Sequence, residues 1–246
     1  MSGALVVRKT LGDLLDDPLV RGWLAPMFTP VIFNTLRVLK RVNPGDTYLE
    51  NYLDKYYRDP DFFDQYHLAW VYGSLCKPTR ILEIGTRTGL SLCQLLSSLI
   101  SYEGVEAHCF DLFNDGFVSP KLVELNLKAL NIPTNLVTFH VGDSAQTVPQ
   151  FLSAQASPPL FDWVLVDGSH DKTAARIDLE NVAPAVAPGG LLVFDDISTA
   201  PGECALIDVW EQFKHDYSCD DTRPDGLRFV FGEDMSGKGT GWAIRQ

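Results

Sequence analysis

The sequence predicts an α/β protein: a mostly parallel seven-stranded sheet with one antiparallel strand, helices on both faces, and a helical extension at the N-terminus. Three observations carry this. From Pro78 onward, short apolar runs alternate with amphipathic segments, the signature of strand–helix–strand units. The runs are near-continuously apolar, as strands covered on both faces are. The last two, Leu227–Phe231 and Trp242–Arg245, are joined by a Gly-rich loop without a helix, so one terminal strand is expected to run antiparallel.

Before Pro78 the pattern is helical. Thr29-Pro30 offers an N-cap and first-turn proline, with Val31, Leu36, Val38, Leu39 and Val42 following at helical spacing. Asn43-Pro-Gly-Asp46 is a turn. Tyr48, Leu49, Tyr52, Leu53, Tyr56 and Tyr57 mark a second helix, and a third is expected over about 60–76, rich in Phe, Tyr and Trp70. Such aromatic stripes pack against neighbours or cover a ligand.

The strands follow in order: Arg80–Ile84, Val105–Asp111, Leu136–Val141, Phe161–Asp167, Leu191–Phe194 and the closing pair. Helices are expected from about Gly89 to Ile100, from the Ser119-Pro120 cap to about Leu130, over 145–154, over 172–186 and near Cys204–Tyr217. The Pro188-Gly-Gly190 segment reads as a turn before the fifth strand.

A chain of 246 residues, 46% hydrophobic and 21% charged, is in the globular range. We divide it into an N-terminal helical region at 1–77, a lid or an oligomer contact, and a ligand-binding domain at 78–246. The net charge is −12, and residues 1–78 are balanced at nine basic and nine acidic side chains. All the excess acid therefore lies in the later part. That sign argues against nucleic acid, whose phosphates need clustered Lys and Arg.

Nor does the sequence point to a membrane or secretion. No apolar run approaches the roughly 20 residues that span a bilayer. The start, with apolar residues before Arg8 and Lys9, reverses the order of a secretory signal. The five cysteines are scattered without a CxxC pair, as small buried hydrophobes are. A cytoplasmic protein is expected.

In open parallel sheets, ligands bind beyond the carboxyl ends of the strands, so the last residues of each strand are the ones to read. The first ends Glu83-Ile-Gly85-Thr86-Arg87-Thr-Gly89. Its glycines permit a tight turn and close approach of a ligand to a helix N-terminus. The second ends in Asp111, a carboxylate able to accept from both hydroxyls of a ribose. The third ends Gly142-Asp143-Ser144, where helix capping and ligand contact are equal readings. The fourth ends Asp167-Gly-Ser-His170 and the fifth Asp195-Asp196. Asp167 and Asp195 are expected on neighbouring strands about 4.8 Å apart. Carboxylates gathered in this way repel unless one is protonated or a cation sits among them. Oxygen ligands favour a hard ion, with Mg²⁺ as the first choice. His170, beside that cluster, is the candidate base.

Taken together, Glu83-x-Gly85-x-x-x-Gly89, Asp111, Gly142-Asp143, Asp167 and Gly189-Gly190 resemble the class I S-adenosylmethionine-dependent methyltransferases, which have a Rossmann-like fold. Asp167-Gly-Ser-His170 followed by Asp195-Asp196 resembles the metal-dependent O-methyltransferases, above all those acting on macrolide sugars and the relatives of the cephalosporin-biosynthesis enzymes. The resemblance implies that Gly85, Thr86 and Gly89 cradle the methionine end of the cofactor with Glu83 nearby. It also implies that Asp111 holds the ribose and that Asp143 and Ser144 border the adenine. Asp167, Asp195 and Asp196 would bind the divalent metal, and His170 would act as base. Arg87 departs from the commoner pattern, which has glycine there.

The expected activity is methyl transfer to a hydroxyl of a small molecule, a sugar or natural product. N-methylation of a small molecule and a non-catalytic S-adenosylmethionine-binding role are the alternatives. The GxGxxG and Tyr-x-x-x-Lys patterns of hydride-transfer enzymes are absent. A homo-oligomer through the N-terminal helices is the expected assembly, if those helices are not a lid.

Overall fold

The computed structural model describes residues 15, 17–58, 63–155, 157–199, 205–218 and 225–246. Three helices come first: α1 (Pro18–Val42), α2 (Thr47–Arg58) and α3 (Gln65–Cys76). Strands and helices then alternate: β1 (Arg80–Ile84), α4 (Leu90–Ser97), β2 (Glu106–Asp111), α5 (Pro120–Ala129), β3 (Val137–Val141), α6 (Ser144–Ser153), β4 (Phe161–Val166), α7 (Lys172–Val182), β5 (Val186–Asp195) and α8 (Ile207–Tyr217). The hairpin β6 (Phe229–Asp234) and β7 (Thr240–Arg245) closes the chain.

The sheet order is β3-β2-β1-β4-β5-β7-β6. β1 to β5 are parallel to their neighbours, and β7 runs antiparallel to both β5 and β6. The expected mostly parallel, seven-stranded sheet is present. Chain order reverses between β1 and β4, so a crevice opens at their carboxyl ends.

Period-2 alternation decides what faces that crevice. Ile81, Trp163, Leu165, Leu191 and Val193 pack with α1 to α5 on one face of the sheet. Leu82, Ile84, Val164, Val166, Leu192 and Phe194 pack with α7 and α8 on the other. By parity Glu83, Asp111, Asp167 and Asp195 all fall on the face that the N-terminal helices cover. Four strand-end acids on one side of one edge are thus a consequence of residue numbering along the strands.

Two expectations need correction. Thr29-Pro30 does not begin a helix; α1 starts at Pro18, capped by Asp17, and runs through Pro26 and Pro30. Both prolines lie on the exposed face, where water can satisfy the carbonyls they strand, and the Thr29 hydroxyl donates to Ala25 O. Leu19, Trp23, Met27 and Val31 form an exposed apolar stripe along that face. Similarly, Pro188-Gly-Gly190 is not a turn ahead of the fifth strand but part of β5. The strand shifts register against β4 there. A Cβ on Gly190 would come within 2.8 Å of Phe161 O, so glycine lets this irregular stretch stay against its neighbour. The third helix begins at Gln65; residues 59–62, where its start was expected, lie outside the described residues, as does Cys204.

The N-terminal helices are tied to the ligand-facing turn by polar bonds. Asn43, capping α1, donates to Asn126 Oδ1 at 2.7 Å, and Asn126 donates to Thr88 O at 2.8 Å. Trp70 on α3 donates to Gln94 on α4 at 2.7 Å. Among the described residues no helix is long and apolar enough to cross a membrane.

Candidate active site

A cleft of about 380 Å³ opens at the β1/β4 crevice. Its walls include Tyr66, Gly85, Thr86, Arg87, Ser91, Asp111, Asn114, Asp115, Asp167, Gly168, His170 and Lys238. One end is the β1–α4 turn; the other is the acidic cluster beyond β4 and β5.

At the first end, Gly85 has φ +85, and a Cβ there would sit 1.8 Å from Asp167 O. Glycine is required because the turn and the Asp167-Gly168 backbone press together. Gly89, with φ +75, N-caps α4 against Val123. Arg87 also adopts a left-handed conformation, φ 50, in the place where the commoner pattern has glycine. The bond from Arg87 N to Asp111 Oδ2, 2.7 Å, holds it there. Asp111 Oδ1 accepts from Phe113 N at 2.6 Å. Each oxygen keeps a lone pair for a further donor.

Glu83 lies beneath this floor, 1% exposed. Burial lifts its carboxyl from 4.5 to about 8; the Ser91 hydroxyl opposes this, and the Asp167 and Asp111 charges add to it. Neither oxygen has a well-formed hydrogen bond, and the buried Thr86 hydroxyl is likewise unsatisfied. A cationic, hydrogen-bonding ligand above Glu83 would meet both needs. Between pH 4.5 and 8 the folded chain keeps a proton that the unfolded chain releases, so stability falls as pH rises through this window. Glu83→Gln is therefore expected to raise the melting temperature of the ligand-free protein, by more at pH 8 than at pH 5. Thermal melts across pH check this, and a uniform loss at every pH would refute it.

At the second end, Gln65 opens α3. Asp64 fixes it as N-cap, accepting from Tyr66 N, in a capping box with His67. From there Gln65 Nε2 donates to Asp167 Oδ2 at 2.9 Å and Asp195 Oδ2 at 3.0 Å. Thr240 donates to Asp195 Oδ1 at 2.9 Å. Asp196, 1% exposed and at φ 64, is gripped from two sides. His170 Nε2 lies 2.9 Å from its Oδ2 and Lys238 Nζ 2.7 Å from its Oδ1. A buried aspartate in left-handed backbone carries strain that the surrounding contacts must hold.

The electrostatics follow from this packing. Burial, then the charge of Asp196, lifts Asp167 to about 6. Burial and both neighbouring carboxylates push Asp195 well above the usual range. Asp196 stays low: burial alone would raise it, but His170 and Lys238 prevail. The hydrogen bond to Asp196 raises His170.

One ligand atom each from Asp167, His170 and Asp196 lies within 4.8 Å of the others. Gln65 Oε1, on the amide that bridges Asp167 and Asp195, is buried and has no partner. Oxygen donors, surplus negative charge and an orphaned buried carbonyl fit a hard divalent ion.

Not every residue of the sequence reading gathers here. Gly85, Thr86, Asp111, Asp167 and His170 line the cleft, while Asp195 and Asp196 stand behind Gln65 and Lys238. Asp143 caps α6, accepting from Ala145 N at 3.0 Å, and Ser144 is the first residue of that helix; neither is among the residues that line the cleft. Gln65, Tyr66, Asn114, Asp115 and Lys238 were not anticipated. The signals were present but faint: Gln65 follows an Asp N-cap, and Lys238 is a basic residue between two hairpin glycines.

A family model described as a methyltransferase domain matches residues 82–197. No curated protein matches the sequence. Among solved structures, the Bacillus cereus O-methyltransferase in complex with SAH is similar at a TM-score of 0.61 and 16% identity, covering 87% of this chain and 91% of that one. The O-methyltransferase TomG from Streptomyces achromogenes, involved in tomaymycin synthesis and in complex with SAM, aligns at 0.56 and 20%, covering 78% and 85%. The SAH-bound Podospora anserina methyltransferase PaMTH1 aligns at 0.55 and 17%, covering 82% and 88%. These neighbours share the fold, and the family match runs from within β1 to just past β5, taking in most of the residues that line the cleft. Residues 82–197 match a methyltransferase domain, on a fold that these neighbours share.

Proposed function

We propose that the protein is an O-methyltransferase acting on a hydroxyl of a small molecule, a sugar or natural product, with Mg²⁺ and His170 activating that hydroxyl. The observation that carries the reading is the convergence of Asp167, His170 and Asp196 in the cleft whose other end is Gly85, Thr86 and Asp111. A cytoplasmic location goes with it.

S-adenosylmethionine supplies a methyl group on a sulfonium, and a divalent ion lowers the pKa of a hydroxyl bound to it and fixes its orientation. Gly85, Thr86, Gly89 and Glu83 receive the methionine end of the cofactor, and the Asp111 oxygens receive its ribose hydroxyls. Asp167, Asp195 and Asp196 hold the ion. His170 presents Nε2 to Asp196 Oδ2, which assigns the proton to Nε2 and leaves Nδ1 as the acceptor. The acceptor hydroxyl gives its proton to Nδ1 as its oxygen bonds the methyl carbon and the carbon–sulfur bond breaks. The products are a methyl ether and S-adenosylhomocysteine. Tyr66 offers an aromatic wall for the acceptor.

A hydroxyl-compound screen with S-adenosylmethionine, with Mg²⁺ and in excess chelator, tests this. Methyl ether formation that stops in chelator is the expected outcome. Transfer to an amine, or full turnover in chelator, overturns the hydroxyl or the metal part respectively.

A further inference from the structure

The cation-facing side of the acidic cluster is already occupied by a group of this chain. Lys238 Nζ lies 2.7 Å from Asp196 Oδ1, with four-fifths of its side chain buried. Asp196 Oδ2 faces His170. The two oxygens of Asp195 accept from Gln65 and Thr240. Every one of these interactions supplies a donor or positive charge where a divalent ion would otherwise supply it.

We propose that Lys238 is a tethered cation that braces the cluster when no divalent ion is bound and competes with that ion for Asp196. The inference rests on the metal-binding reading given above. An oxygen bound to Mg²⁺ lies about 2.0–2.1 Å from the ion, and Asp196 Oδ1 cannot serve a dication and an ammonium in the same place without strong repulsion between them.

The hairpin is built so that the side chain can leave while its backbone stays. Lys238 sits between Gly237 and Gly239, both at positive φ. Ser198 N donates to Lys238 O at 2.6 Å, and Ile197 N to Gly239 O at 3.1 Å. A Cβ on Gly239 would sit 2.6 Å from Ser198 N. The loop is thereby pinned to the segment that follows Asp196. The four-carbon stem of a lysine has several rotatable bonds, and Lys238 already borders the cleft. Ion binding would drive the ammonium from Asp196 toward the cleft. Gln65, with its unpartnered Oε1, can turn its amide so that oxygen replaces nitrogen beside the ion.

The test is Mn²⁺ binding to the full chain, read by electron paramagnetic resonance of the free ion. Lys238→Met is expected to bind Mn²⁺ roughly tenfold or more tightly than the native chain, within the range of ordinary site-to-site coupling. Lys238→Gln should behave alike, and both should melt lower without ion and recover with Mn²⁺. Arg87→Met, which removes another cation of the same cleft, should leave the affinity within about twofold. Unchanged affinity in both Lys238 variants, with binding lost in Asp195→Asn, overturns the competition and leaves the metal reading standing. A gain in Arg87→Met equal to that in Lys238→Met marks a general charge effect and overturns it too. No binding to any variant overturns the metal reading together with the competition, while S-adenosylhomocysteine binding reports separately on the methyltransferase fold.

Discussion

Replacing Asp195 with Asn is expected to lower methyl transfer by about 10³-fold or more and to abolish stimulation by Mg²⁺, in a protein that melts no lower than the native one. The two halves have one cause. Asp195 is 3% exposed, and burial with the charges of Asp167 and Asp196 pushes its carboxyl well above the usual range. A carboxylate kept in such a place costs stability unless a cation sits beside it. Asparagine keeps the size and can accept from Thr240 Oγ1, which lies 2.9 Å from Asp195 Oδ1. The ion-free fold therefore loses a source of repulsion. Metal activation of a hydroxyl contributes several kcal/mol, and each ~1.4 kcal/mol is a factor of ten in rate. Turnover with and without Mg²⁺, beside thermal melts of both proteins, checks this. Native-like turnover in Asp195→Asn would remove the residue from the mechanism.

His170→Ala is expected to slow turnover by about 10²- to 10⁴-fold, the usual contribution of a positioned base, while S-adenosylhomocysteine binds as before. His170 sits on the loop after β4 with half its side chain exposed and its Nε2 on Asp196. It lines the cleft with its imidazole on the acidic cluster and makes no bond to the Gly85 turn among the described contacts, so its loss should fall on kcat and spare cofactor affinity. Added imidazole should restore part of the rate, because the deleted group is a small, diffusible base. A variant that loses cofactor binding and turnover together, with no rescue, would show that His170 shapes the site without accepting a proton.

Much of this arrangement is legible in the chain because strands have a period of two. Glu83, Asp111, Asp167 and Asp195 fall at strand ends, and their parity with Ile81, Cys109, Leu165 and Val193 places them on one side of the sheet. The glycines of the first turn are legible for a related reason: at Gly85 any side chain would strike the Asp167 backbone. What stayed hidden comes from elements remote in sequence. Gln65 is 102 residues from Asp167 and lies in an aromatic-rich helix whose pattern speaks of packing. Lys238 is a hairpin residue whose partner is fixed only when β7 inserts between β5 and β6. Pro26 and Pro30 misdirect the reading of α1 because their cost depends on exposure, which a linear pattern does not show. Asp143 carries a cap and a ligand signal in the same residue, and the structure displays the cap.

The central claim is that one cleft seats the cofactor at Gly85 and Asp111 and a divalent ion at Asp167, Asp195 and Asp196, with His170 between them and the acceptor. Crystals grown with S-adenosylhomocysteine and Mn²⁺, examined by anomalous scattering at the manganese edge, test it most directly. We expect one anomalous peak among the three aspartates, Lys238 withdrawn from Asp196, and the cofactor ribose on Asp111. S-adenosylhomocysteine seated in the cleft with no peak and Lys238 still on Asp196 would contradict it.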